Sequence, residues 1–188
     1  MVNEGNQFCK LNNNFVDRYL ISAIKKQFIF NTNTMPYDVD GWIEIVWDLE
    51  KETKDWCGVI NLNRFCLCGD DIADKLFGLT KHPCDNPYFA KRGVPKDCCE
   101  YVADEVRSSE EWVKKYGQSG EGDRDHTWAL WSEIEPLLDD LERYNIDECA
   151  QWKTVFAMVQ ELCKAREGWM SRDRFKSEWI RFIVWGSW

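Results

Sequence analysis

The sequence predicts an α+β fold, an antiparallel sheet with helices packed on it, preceded by an N-terminal extension. Three observations carry that expectation. A period-two alternation starts at Gly41, a helical repeat fills residues 146–167, and the run Trp179 to Trp185 is apolar at both even and odd positions. Strands, then helices, then a final strand covered on both faces fit this class.

Taken in order, residues 1–34 are Asn-rich, with Asn12-Asn13-Asn14 and Asn31-Thr32-Asn33-Thr34 flanking a short amphipathic helix expected over Phe15–Phe30. Pro36 pushes Met35 out of helical conformation, which sets the boundary between an extension, 1–34, and one domain, 35–188. Ile43, Ile45, Trp47 and Leu49 fall on one strand face, with Glu44 and Asp48 on a solvated opposite face. Lys51 to Asp55 is a polar turn, and Trp56–Leu62 the return strand of a hairpin. Residues 70–79 form a short helix with Ile72, Leu76 and Leu79 in one stripe. Residues 82–95, holding three of the five prolines, are loop.

Tyr101–Tyr116 reads as a helix, and Ser108-x-x-Glu111 fits a capping box inside it. Residues 117–125 make a flexible acidic loop. The strongest helix is Ile146–Glu167, where Trp152, Val155, Phe156, Val159, Leu162 and Cys163 recur at helical spacing. Asp147 caps its start and Gly168 ends it. There is no internal repeat.

Composition bounds the function. A chain of 188 residues is long enough to bury roughly two-thirds of its unfolded surface. A hydrophobic share of 44% excludes wholesale disorder. Eleven Trp supply either large buried area or flat stacking faces. No apolar run reaches the about eighteen residues of a membrane span. Met1 to Gly5 does not open a signal peptide. These features predict a cytoplasmic protein with no membrane partner, whose nine cysteines are thiols. A net charge of −9 and a pI near 4.8 argue against direct nucleic-acid binding. The charge is uneven: residues 97–150 hold sixteen acids against five bases, whereas 164–181 hold six bases against three acids. That is a binding dipole or two solvated helix faces.

Four separated segments bear a family resemblance. Pro36-Tyr37-Asp38-Val39-Asp40 with the hairpin resembles a "CDIH" opening, and Lys91-Arg92-Gly93-Val94-Pro95 resembles an Arg-Gly-Leu-Pro loop. Asp125 to Ile134 resembles an "HSxSWLTLEEI" segment, and Ile180 to Trp185 a closing "VRIVFWFD" strand. In this order and spacing, over roughly residues 35–188, they resemble a family of uncharacterised proteins encoded by bacteriophages. The resemblance implies a phage or prophage origin and, if so, a place in the host cytoplasm. The chain departs from the family where its His after Asp-Ile becomes Asp40, and where its Arg-Asp-Tyr is replaced by Ile72-Ala73-Asp74.

Enzyme signatures are absent: the two histidines, His82 and His126, form no HxxxH pair, no Gly-x-Ser-x-Gly occurs, and no phosphate loop carries its Lys. Cys66, Cys68, Cys84 and Cys98 lie close enough in sequence for a structural zinc, but without a Cys-x2-Cys knuckle they read rather as packed thiols. Asp38, Asp40 and Glu44 alternate on one strand face, a weak candidate for a divalent cation, as are Asp123, Asp125 and His126. The ligand-binding candidates are Arg92, His126, Thr127, Trp128 and Arg181. Arg offers a planar fork for phosphate, Thr a hydroxyl donor and Trp a stacking face, the set a nucleotide needs.

Three functions follow. The first is a phage accessory binder that sequesters a nucleotide-derived host immune signal or blocks a host defence protein, working without catalytic groups and as a homo-oligomer with pockets at its interfaces. The second is an acidic mimic of nucleic acid that inhibits a host enzyme. The third is a metal-dependent enzyme built on Asp38, Asp40, Glu44 and His126.

Overall fold

Strand β1 (Asp38–Val46) lies inside the sheet because it has an antiparallel neighbour along each edge. On one side is β2 (Trp56–Asn61), and the short β3 (Leu67–Cys68) pairs with the start of β1. On the other is β5 (Ile180–Ser187), which pairs in turn with β4 (Arg124–Leu130), giving the order β2-β1-β5-β4. The computed structural model describes residues 38–46, 55–68, 71–79, 84–116, 124–141, 150–169 and 176–187. The expected helix over Phe15–Phe30, the cap at Asp147, the turn 51–54 and the acidic loop 117–123 lie outside the described residues. The chain divides into two units, Met1–Met35 and Pro36–Trp188.

The crossing of β1 and β5 depends on one glycine. Gly41 has φ +150°, and a Cβ there would stand 2.2 Å from the carbonyl oxygen of Ile183. Only a residue without a side chain lets the two backbones meet so closely. β1 therefore starts at Asp38 and runs through Gly41, where the alternation alone had placed its beginning. Against β2 the register shifts between Ile43 and Glu44, where a bulge interrupts the ladder.

Alternation then sorts side chains between two faces. Val39, Ile43 and Ile45 share one face with Ile180, Phe182 and Val184, all buried. Helix α5 (Ala150–Trp169) closes that face through Trp152, Val155, Phe156 and Val159. The Phe156 and Trp131 rings each lie 6.1 Å from that of Phe182. Helix α1 (Asp71–Phe77) joins the same core, with Phe77 5.7 Å from Trp152, and ends at Gly78 in the left-handed region. The other face carries Trp42, Glu44, Arg181, Ile183 and Trp185. There α2 (Glu100–Tyr116) packs Val102 and Val106, with Cys99 just before it, against Ile183, Trp185, Trp42 and Trp128. Short helices α3 (Trp131–Ile134) and α4 (Leu138–Leu141) follow β4.

The structure is thus α+β with an antiparallel sheet, as the sequence predicts, and β5 is covered on both faces. Several details differ. Glu44 is not on a solvated face but 0% exposed, because α2 covers it. Ser108 sits in mid-helix and caps nothing, since α2 already starts at Glu100. α5 continues through Gly168 to Trp169. Trp179 belongs to a 3₁₀ turn before β5. Leu62 leaves β2 because the Asn61 side chain accepts from the Asn63 N–H and starts a 3₁₀ turn. Cys57 is disulfide-bonded, which corrects the expectation that every cysteine is a thiol. Cys66, Cys68, Cys84, Cys98, Cys99 and Cys163 are thiols. Among the described residues no helix is long and apolar enough to cross a membrane.

Candidate functional site

Between α1 and α2 the described residues 84–99 form no helix or strand, yet hydrogen bonds fasten this segment on two sides. On the α1 side, Cys84 N donates to Asp74 Oδ1 (2.8 Å), Tyr88 N to the Lys75 carbonyl (3.0 Å) and Phe89 N to the Leu76 carbonyl (2.7 Å). On the β4 side, Arg92 N donates to Thr127 Oγ1 (3.3 Å) and Gly93 N to the His126 carbonyl (2.9 Å). The Thr127 hydroxyl donates to the Phe89 carbonyl. Lys91 (φ +60°) and Gly93 (φ +74°) turn the chain between these anchors. The left-handed Lys91 costs about 1–2 kcal/mol, which the bonds on either side offset.

This turn presents Arg92. Its Nη1 donates to both oxygens of Glu133, at 3.0 and 2.9 Å, while its guanidinium carbon lies 4.7 Å from the Phe89 ring centroid and 5.4 Å from that of Trp128. Glu133 is itself held, since its Oε2 accepts from Leu130 N (2.9 Å) at the start of α3. Burial raises the Glu133 carboxyl, but the Arg92 guanidinium and the Leu130 N–H outweigh it and hold the group below the usual carboxylate range. The two side chains remain 30% and 33% exposed. Every side-chain hydrogen bond of Arg92 runs through Nη1; its Nε and Nη2 have no partner among the described residues.

Four of the five ligand candidates therefore converge: Arg92, His126, Thr127 and Trp128. Their parts differ from those expected. Thr127 is buried and ties the loop down. The Trp128 ring lies beside the guanidinium and packs on the cluster around Ile183 and Trp185. The His126 ring is half-buried, 5.5 Å from that of Trp185.

Arg181 belongs to a second cluster. It is 3% exposed, donating from Nε to Glu44 Oε2 (2.7 Å), from Nη1 to Asp97 Oδ1 (2.8 Å) and from Nη2 to the Asp97 carbonyl (3.1 Å). Its guanidinium lies 3.8 Å from the Trp56 ring centroid, and the Trp56 indole donates to Asp97 Oδ2 (2.9 Å). Glu44 also accepts from Cys99 N (2.7 Å). This cluster joins β1, β2, β5 and the start of α2.

Glu44 is thus committed to Arg181, while Asp38 is exposed and Asp40 half-buried on the same face. Cys66 and Cys68 are exposed, Cys84 and Cys98 half-buried. Among the described residues, no group of three or more His, Cys, Asp or Glu could hold a metal ion. Burial first, then the neighbouring Glu44, pushes the Cys99 thiol up to about 12. Since the thiolate is the reactive form, a brief iodoacetamide pulse at pH 8 is expected to alkylate exposed Cys66 and Cys68 and leave Cys99 unlabelled until the protein unfolds. Peptide mass spectrometry reads this directly, and early labelling of Cys99 would contradict its placement.

Tyr88, Phe89 and Glu133 complete the Arg92 site and were not among the residues singled out from sequence. Their signals were present: an aromatic pair just before Lys91-Arg92, and an acid three residues after Leu130, at helix-capping distance. Comparison of the chain with family models, curated proteins and solved structures finds no match in any of the three.

Proposed function

We propose that the chain is a binding protein for an anionic, nucleotide-like small molecule, with Arg92 as the anion contact. One observation carries this reading: Glu133 and two aromatic rings fix the Arg92 guanidinium, while its Nε/Nη2 edge stays unpaired on a fastened loop. That edge offers two parallel N–H donors, the geometry a phosphate or carboxylate takes. Fixing it beforehand removes part of the ordering cost of binding. A receptor of this kind needs neither nucleophile nor general base. In the phage setting implied by the four motifs, it would serve as a counter-defence factor that sequesters a nucleotide-derived host signal in the cytoplasm, with a homo-oligomer as the assembled form.

Native mass spectrometry of protein purified gently from a bacterial host tests the reading. The wild-type protein is expected to retain a mass consistent with a nucleotide, and Arg92→Ala to lose it. Loss of a charge-assisted bidentate contact corresponds to roughly 10- to 100-fold weaker binding. An Arg92→Ala protein that folds normally and keeps the same retained mass sinks the proposal.

A further inference from the structure

Among the described residues, Tyr88 is one of two large hydrophobic side chains that stand exposed, at 46%, the other being Tyr101. Tyr101 is accounted for within the fold, since its ring stacks on Trp42 with planes 18° apart and centroids 6.2 Å apart. The Tyr88 ring is not stacked: its aromatic neighbour Phe89 is tilted, at 6.0 Å. That neighbour is the same Phe89 whose ring centroid lies 4.7 Å from the Arg92 guanidinium carbon. Tyr88 and Arg92 thus both lie against the Phe89 ring. The Lys75 ammonium lies 5.1 Å from the Tyr88 ring centroid, and no acid pairs with it among the described residues. The arrangement is rigid, because Tyr88 N and Phe89 N are both bonded to carbonyls of α1.

We infer that Tyr88 is the ring-binding half of this site, so that the ligand is a nucleoside phosphate with its phosphate on the open edge of Arg92 and its base stacked on Tyr88. The inference rests on the reading of Arg92 as the anion contact. The ribose of a nucleotide joins phosphate to base, so one ligand can reach two contacts that share the Phe89 ring. Lys75, beside the Tyr88 ring, and Lys91, next to Arg92 in the chain, add positive charge around the site in a protein that is otherwise strongly acidic. Trp128, expected from sequence to supply the stacking face, is already used in holding Arg92; Tyr88 takes that part.

Calorimetric titration at low salt with AMP and with ribose 5-phosphate, which lacks the base, separates the two halves. In the wild-type protein AMP is expected to bind roughly 10-fold or more tighter, as one base-on-aromatic contact provides. Tyr88→Ala is expected to bring that ratio close to one, and Tyr88→Phe to preserve it, because stacking needs the ring and not the hydroxyl. If Tyr88→Ala leaves the ratio unchanged while Arg92→Ala weakens both ligands, the Tyr88 inference is overturned and the Arg92 reading stands. If Arg92→Ala, still folded, leaves both affinities unchanged, the Arg92 reading fails and the inference falls with it.

Discussion

Replacing Arg181 by Met is expected to lower the unfolding free energy by about 3–5 kcal/mol, the cost of stranding a buried charge. Glu44 is 0% exposed, so once its partner is gone the carboxylate is left away from water without a cation beside it. The variant also loses the contact with the Trp56 ring and the bonds to Asp97 that join the start of α2 to β5. The double change Glu44→Gln/Arg181→Met is expected to be more stable than Arg181→Met alone. Gln carries no charge, yet its side-chain oxygen can still accept from Cys99 N. Urea unfolding of the three proteins measures both effects. Losses that simply add, leaving the double variant the least stable, would show that the two side chains act independently.

Trp131→Ala is expected to cost a similar about 3–5 kcal/mol, by emptying the volume of a fully buried tryptophan in the other half of the core. The side chain is 0% exposed, and its ring lies 6.1 Å from both Phe182 and Phe156, so it connects β5 to α5. The corresponding fall in melting temperature is roughly 6–20 °C for a chain of this length. Trp131→Phe separates volume from polarity. The Trp131 indole N–H is buried without a hydrogen-bond partner among the described residues, so its removal relieves a cost that offsets part of the lost ring. The Phe variant should therefore lie within about 1–2 kcal/mol of wild type. A Phe variant as damaged as the Ala variant would mean that the indole is satisfied in solution.

These two sites mark what sequence patterns can and cannot express. The apolar run of β5 was legible because a strand covered on both faces is mostly apolar at even and odd positions alike, and Ile180 to Trp185 are all buried, the charged Arg181 being the exception in kind. The same logic misplaced Glu44, since an acid in an alternating strand reads as outward-facing. What buries it is α2, contributed by residues some sixty positions later, together with a cation from β5, and no local pattern contains either. Arg181 went astray for the complementary reason. Its chemistry suits a phosphate, but strand register sets it directly opposite Glu44.

In the candidate site, Arg92, His126, Thr127 and Trp128 were legible as two short segments. Their meeting is a matter of one backbone bond, from Gly93 N to the His126 carbonyl, and of the Thr127 hydroxyl, which accepts from Arg92 N and donates to the Phe89 carbonyl. Their division of labour was not legible, because which face of Trp128 stays open depends on where Arg92 lies. Tyr88 was passed over because exposure cannot be read from a residue name. An aromatic within a proline-bearing loop looks like packing until its neighbours are known.

The pairing of β1 with β5 also governs how the molecule is made. Glu44 and Arg181 stand opposite each other in the sheet yet 137 residues apart along the chain. During synthesis the β1–β2 hairpin can close early, but the edge of β1 that receives β5 waits until nearly all the intervening chain has left the ribosome. Until then it offers unpaired backbone groups and the apolar Ile43 and Ile45 to any passing strand. High contact order of this kind slows folding and lengthens the interval in which nascent chains can aggregate. Yield in a heterologous host should therefore depend on growth temperature and chaperone supply more than on the stability of the finished sheet.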